Sequence, residues 1–252
     1  MILKEKDGVR WLEFELFQPF PELVHGVFLK HGGCSSGVFD SLNFGRNNGD
    51  PDENVSKNIA KARDVLNLHK FAYSNQVHGS EVIYAKSEGF IGAGDAITTH
   101  LPNLGLLIKH ADCQATLFYD PVKKVIANVH AGWRGNVLNI YSKTVKFMAE
   151  HHKSNPEDLR VGISPSLGPQ DAQFINYKTE LPEHFWKYQV SPLYFDLWEI
   201  GRQQLIEAGV PENNIQVAGI CTYANPHDYF SYRRARISGR HGTFLAMREH
   251  SL

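Results

Sequence analysis

The sequence predicts a single α+β domain over residues 1–252, with helices laid outside a large system of mixed sheets. Three observations predict it. Short runs rich in β-branched and aromatic residues outnumber the helical stripes. Strands and helices come in mixed order, without the regular βαβ alternation of a doubly wound sheet. Gly, Pro and Asn punctuate the whole chain in short clusters and leave no linker.

Gly8–Phe17 and Val24–Leu29 read as early strands, and HGGCSSG (31–37) as a loop. A helix is marked at Asp50. Asp50 is the expected cap, Pro51 suits the first helical position, and Asp52 and Glu53 favour the positive end of the dipole. Val55, Ile59, Ala62 and Leu66 then form one apolar stripe, which lays this helix against a sheet. Phe71–Val77, Glu81–Ala85, Leu104–Lys109, Ala115–Tyr119 and Val125–Val129 read as strands. Arg134–His152 reads as one helix, with Val137, Tyr141, Val145 and Met148 on one face. Leu159–Ile163 is a strand, and Asp196–Ala208 a helix ended by Gly209 and Pro211. Ile215–Ala218 and Thr243–Met247 close the strands, about ten in all beside about three or four helices.

Lysine plus arginine number 26 and aspartate plus glutamate 27, a formal charge of -1. That balance excludes a protein held to nucleic acid by bulk charge and argues against a polybasic membrane binder. No run approaches the ~18 apolar residues of a membrane span. The opening MILKEKDGVRWLEFELF lacks the continuous apolar core of a signal peptide. Cys34, Cys113 and Cys221 are far apart with no CxxC pair, which argues against a disulfide framework and for a reducing compartment. A cytoplasmic protein is the expectation.

His78, Cys113 and His130 each stand where a strand is expected to end. Imidazole and thiolate suit zinc, and also copper. Three protein ligands leave one tetrahedral position open, the pattern of catalytic rather than structural zinc. The same residues taken singly have ordinary uses: strand-end histidines are usually hydrogen-bonded, and a lone cysteine is usually a small buried hydrophobe. Gly79 and Gly132 stand beside two of the three and would relieve crowding there, or simply make turns. Asp112 either orients a ligating imidazole, acts as a base, or caps a turn. His110 reads as structural and Cys221 as packing, while Cys34 has no base placed beside it. Arg46, Arg134, Arg233, Arg234 and Arg240 lie in glycine- or aromatic-rich segments, and a guanidinium fork suits phosphate oxygens. Singly, each is more commonly a surface ion pair or a packed stem.

The segments HGGCSSGVFDSLNFG, QVHG, ADCQATLFYDP, NVHAGWRG, ISPSLGP, CTY–FSYRR and the late GR pair match one family in type and order. From about His25 to its last residue the chain resembles the YfiH/laccase-domain family of purine nucleoside enzymes, also called polyphenol oxidase or peptidoglycan editing factor. The resemblance implies a layered α/β/β/α sandwich, similar to a bacterial toxin deamidase with a Cys-His site. It implies a metal on His78, Cys113 and His130, the trio reached above from ligand chemistry. It implies phosphorolysis of adenosine, inosine and methylthioadenosine, and adenosine deamination. Copper-dependent phenol oxidation and editing of a serine-containing muropeptide precursor are attributed to relatives. Departures are Ser164 and Ser166 in ISPSLGP, where relatives often read IGPCIGP, and Arg46 after SLNFG.

A zinc enzyme of purine nucleosides is therefore the leading expectation, with copper as the alternative metal. Cys113, His130 and Asp112 are the expected catalytic residues, and Arg46, Arg134 and Arg233 the expected phosphate ligands. Tyr73, Phe230 and Tyr232 are aromatic candidates for stacking on a purine. The HxE plus PCxxC pattern of the well-known zinc deaminases is absent. Competing expectations are a Cys113/His130 amide hydrolase, a copper oxidase lacking the His-x-His pairs of multicopper enzymes, and a metal-binding module without catalysis. The expected partners are a nucleoside and phosphate, not nucleic acid or membrane, in a monomer or small homo-oligomer.

Overall fold

The computed structural model describes residues 1–249. One mixed sheet holds seven strands, in spatial order β1 (Ile2–Lys6), β2 (Val9–Glu13), β3 (Leu23–Phe28), β15 (His241–Met247), β8 (Leu104–His110), β4 (Lys70–Asn75) and β6 (Gly89–Ala93). A second holds six: β14 (Ile215–Val217), β11 (Arg160–Ile163), β9 (Gln114–Asp120), β10 (Val125–Ala131), β7 (Ala96–Thr99) and β5 (Val82–Tyr84). A short pair, β12 (Gln189–Ser191) and β13 (Tyr194–Phe195), stands apart. The helices are α1 (Asp52–Leu66), α2 (Trp133–Val137), α3 (Ile140–His152), α4 (Tyr177–Glu180) and α5 (Leu197–Glu207).

Strand alternation assigns the layers. In β15, Phe244 and Ala246 pack with Val55, Ile59, Ala62 and Leu66 of α1, while Leu245 and Met247 face the other way. Those two meet Leu106 and Ile108 of β8 and, from the second sheet, Leu117, Tyr119 and Ile126. The second sheet's far face, with Phe118, Val129 and Val161, packs on Tyr141, Val145 and Met148 of α3 and Leu205 of α5. Three apolar seams thus separate four layers in the order α1, first sheet, second sheet, α3 with α5. This is an α+β fold of α/β/β/α type, as the resemblance implies. The α1 stripe does what its spacing predicts.

Local differences have local causes. The expected helix over residues 134–152 is two helices. Asn139 takes a left-handed conformation (φ 51°) and its side chain accepts from Ser142 N, restarting the helix as α3. Asp50 does not cap α1, where Pro51 holds the cap position. Its buried carboxylate accepts instead from Ser35 Oγ at 2.6 Å and Asn43 Nδ2 at 2.8 Å, fastening the loop that precedes the helix. The strand expected over 8–17 ends at Glu13. Glu15–Phe17 makes a 3-10 turn, and on the buried His25 Phe14 stacks while Phe17 packs edge to face. Strands β1, β6, β7, β12 and β13 have no counterpart in the sequence reading. They are short, and β1 is charged while β6 is glycine-rich.

Candidate metal centre and cleft

All three donors lie at one end of the sandwich, His78 and Cys113 where the chain crosses between the two sheets and His130 where β10 leads into α2. His78 lies between β4 and β5, and Cys113 between β8 and β9. His130 is the penultimate residue of β10, paired with Ala115 at the start of β9. The β7–β10 register, Ala96 opposite Val129, sets Asp95 beside His130, whose N–H donates to Asp95 O at 2.6 Å.

The ligand atoms of His78, Cys113 and His130 all lie within 4.8 Å of one another, with Cys113 Sγ 3.9 Å from His78 Nε2. Tetrahedral zinc with bonds of about 2.0–2.3 Å separates its donors by roughly 3.5 Å. The donor set and spacing therefore fit one borderline metal ion. Gly132 protects that spacing: a Cβ there would stand 2.8 Å from Cys113 Sγ and 3.2 Å from His78 Cδ2. Gly79 is different, because its Cβ would meet Asp95 Oδ2 at an ordinary 3.5 Å. Its contribution is an N–H.

Asp95 organises the group, and sequence reasoning missed it. Fully buried, it takes His130 Nδ1 at 2.8 Å and His78 N at 3.0 Å on Oδ1. Gly79 N at 2.7 Å and Val77 N at 3.1 Å donate to Oδ2. One carboxylate thus holds the His78 turn, itself left-handed at φ 58°, and turns His130 Nε2 toward the thiol. Burial works to raise the Asp95 carboxyl, but His130 and the amides outweigh it and hold it below the usual range. Burial opposes the Cys113 thiolate too, yet the two imidazoles bring the metal-free thiol down to about 6. His130, against its own burial, is raised to about 9 by Cys113 and Asp95. The one sequence signal for Asp95 was an acid between Gly94 and an apolar run.

Asp112 is adjacent in sequence and turned elsewhere. Its carboxylate accepts from Thr222 Oγ1 at 2.7 Å, Ser231 Oγ at 3.0 Å and Arg233 N at 2.6 Å, which ties the late loops to the cleft. The carboxylate that meets the His130 imidazole is Asp95.

Two cavities share the donor wall. One, of about 400 Å³, is cationic: Arg46, Lys109, Arg134 and Arg240 line it with His78, Cys113 and His130. The other, about 220 Å³, is walled by Trp133, Leu167, Phe174 and Leu197 beside His78 and Cys113. Arg134 and Tyr232 border both. The arginines differ in freedom. Arg46 is held by Ser56 Oγ at 2.9 Å and pairs with Asp52. Arg233 donates to Gln173 O and Asp171 O. Arg134 stacks on Trp133, 4.3 Å from the ring centroid, and among the described residues no side-chain hydrogen bond or ion pair engages it. Arg234 is bound to the carbonyls of Thr222 and Tyr223.

Of the three aromatic candidates only Tyr232 borders the cleft. Tyr73 stacks on Phe71, and Phe230 packs on His241. Lys109, Trp133 and Phe174 were not singled out by the sequence reading. Ser164 and Ser166 are buried in the turn they keep: Ser164 Oγ accepts from Ala115 N, and Ser166 Oγ from Trp198 Nε1. The three cysteines are free thiols. Cys221 donates to Asp171 Oδ2 at 3.0 Å rather than only packing.

Fold and cleft together describe a four-layer α/β/β/α protein with a His–Cys–His cradle at one end of its paired sheets. The chain belongs to the family described as multi-copper polyphenol oxidoreductase laccase, whose model matches residues 24–248. The Bacillus subtilis protein "Purine nucleoside phosphorylase YlmD" is 32% identical over 249 residues, covering 90% of each chain. The Escherichia coli "Purine nucleoside phosphorylase YfiH" is 30% identical over 224 residues, covering 85% of this chain and 89% of its own. The crystal structure of YlmD from Geobacillus stearothermophilus superposes with a TM-score of 0.88 at 29% identity, covering 98% of both chains. No helix among the described residues is long and apolar enough to cross a membrane.

Proposed function

We propose that this chain is a zinc-dependent purine nucleoside phosphorylase that also deaminates adenosine. The observation that carries the reading is the two-sided cleft: a cationic half suited to phosphate and an aromatic half suited to a purine meet at His78 and Cys113. The names of the relatives point the same way.

His78, Cys113 and His130 would hold the metal, with Asp95 fixing the His130 tautomer. When bound, the ion supplies fixed positive charge for polarising a bound oxygen or steadying developing negative charge. Arg134, unpaired and braced by Trp133, is the group best placed to bring phosphate in, with Arg46, Lys109 and Arg240 behind it. A phosphate oxygen forms the new bond to the anomeric carbon as the bond from that carbon to the base nitrogen breaks. The electron pair leaves with the base, which takes up the proton that the hydrogen phosphate gives up. Trp133, Phe174 and Tyr232 offer flat apolar surface to the purine and keep water from its faces. Arg233 shapes that wall through its carbonyl contacts.

Phosphate dependence is the test. Arg134→Ala should weaken use of phosphate by about 1.5–3 kcal/mol, roughly 10- to 150-fold, the cost of one charge-assisted contact. Deamination of adenosine uses water and should fall much less. Adenine and inosine release, measured against phosphate concentration for both proteins, separate the two. Equal loss of both activities would assign Arg134 to the fold or the metal site.

A specific observation favours a second reading. Cys113, His130 and Asp95 line up as thiol, imidazole and carboxylate, with the thiol acidified. A metal-free chain could use Cys113 as a nucleophile on an amide. Turnover of a serine-containing muropeptide that persists at full rate under chelation would select it.

A further inference from the structure

Away from the cleft, His31, His227 and Asp228 bring two imidazoles and a carboxylate together. His31 Nε2 lies 2.7 Å and His227 Nδ1 2.9 Å from the same oxygen, Asp228 Oδ1. The three ligand atoms all fall within 4.8 Å of one another. Two loops build the group, one following β3 and one preceding β15, and they are fastened together. Lys30 N donates to Asp228 O at 3.1 Å, and the Lys30 ammonium is occupied by Pro226 O at 2.8 Å. Gly32 cannot carry a side chain: its φ is +82°, and a Cβ would stand 2.4 Å from Gly8 O. The His31 loop is therefore packed closely on the turn between β1 and β2.

We propose that His31, His227 and Asp228 form a second divalent-cation site, independent of the His78–Cys113–His130 trio. Two imidazoles and one carboxylate select a borderline ion such as zinc, nickel or copper(II) over magnesium or calcium, which prefer all-oxygen shells. Donors at about 90° around an ion with bonds of about 2.1 Å, as in the tetragonal shells of nickel and copper(II), stand about 3 Å apart, close to both contacts, whereas a tetrahedron would spread them to about 3.4 Å. Three protein donors leave coordination positions open. His227 and Asp228 also line a separate cavity of about 810 Å³, walled by Leu12, Trp198, Ile220 and Tyr229. An ion held there borders a space large enough for a small organic ligand.

Cobalt(II) separates the two sites, because only a thiolate ligand gives an intense sulfur-to-cobalt charge-transfer band. The full chain, stripped by chelator and dialysed, is titrated with Co²⁺ alone. Wild type should take two equivalents, one developing the charge-transfer band of Cys113 and one only weak ligand-field bands. His227→Ala changes an 80% exposed side chain and should lose the weak-band equivalent alone. Asp228→Asn should repeat that loss, and neither should alter phosphorolysis. Wild type that develops no weak-band equivalent would overturn the proposal. So would a His31→Ala/His227→Ala chain that still takes two, since the second ion would then sit elsewhere. Cys113→Ala removes the charge-transfer band without touching this test, so the second site fails or stands apart from the phosphorylase reading.

Discussion

Histidine behaves oppositely in two regions of this molecule that are equally dry. Inside the first sheet, His25, His110 and His241 have neutral partners. His25 Nε2 accepts from Phe14 N. His241 stands between Phe28 O and Phe230 N, and His110 between Cys113 O and Thr243 Oγ1. Burial holds all three neutral: His25 falls to about 3, His241 to about 4, and His110 well below its ordinary value. At the sheet ends His130 is just as buried, yet it is raised to about 9, because a thiol and a carboxylate face its two nitrogens. Depth does not decide whether a histidine is structural or chemical; the charge of the group at each ring nitrogen does.

The sharpest way to break this contrast is at the thiol. Wild type should carry an ion in the His78–Cys113–His130 cradle, and Cys113→Ala should purify with that one equivalent missing, read by elemental analysis. Unchanged metal content would remove Cys113 from the cradle. Next in size is Asp95→Asn. An amide placed among four donors must set its own N–H groups against some of them, releasing the His78 turn. Metal affinity should fall by roughly 10- to 100-fold, as for other residues that orient a ligand, by competition with a chromophoric chelator.

A third test uses pH. The Cys113 pKa is lowered, so in metal-free protein the thiolate persists down to about 6 and is lost as pH falls through that value. Alkylation of Cys113, followed by peptide mass, should therefore show its half-point near pH 6. In His130→Ala it should move up toward the ordinary 9.0. An unmoved half-point would mean that the imidazole is not its cause.

The smallest effect is expected from the interior. The folded His25 is neutral down to about pH 3, while its unfolded value is about 6.5. Above 6.5 neither state binds the proton and His25 has no effect. Below it the unfolded chain gains a proton that the folded chain refuses, so stability falls as pH falls, by about 1.4 kcal/mol per pH unit. His25→Gln keeps an acceptor for Phe14 N and should flatten the slope of denaturant stability against pH by that amount. An unchanged slope would show that His25 is protonated in the fold.

The contrast also explains what the sequence could reveal. The runs that became β8, β9, β10 and β15 were visible as short apolar segments, because those strands are buried on both faces between packed layers. The α1 stripe was visible because only one face of that helix is buried. His78, Cys113 and His130 were legible as residue types at strand ends. Asp95 was not, because its partnership with His130, 35 positions away, exists only through the β7–β10 register. Asp112, adjacent to the thiol in sequence, drew attention that belongs in space to Asp95. The break at Asn139 was hidden because Val137 and Tyr141 continue an apolar spacing across it. The polar and aromatic halves of the cleft were equally hidden, since Lys109, Trp133 and Phe174 come from three separate elements.

The place of β15 has a consequence for how the chain acquires its shape. This strand fills the middle of the first sheet, pairing with β3 on one side and β8 on the other, with Thr243 beside Val27 across nearly the whole described chain. The second sheet is built differently, around the compact β9–β10 hairpin. Contacts so distant in sequence are slow to form, and local ones are fast. Pulse-labelled amide exchange during refolding should protect Leu117 in β9 before Leu107 in β8. On a ribosome the order is enforced rather than merely favoured. The first sheet stays split, with β3 and β8 each showing an unpaired edge, until residues 241–247 emerge. Nascent chains of this protein therefore carry an open seam through most of synthesis, and one seven-residue strand closes it.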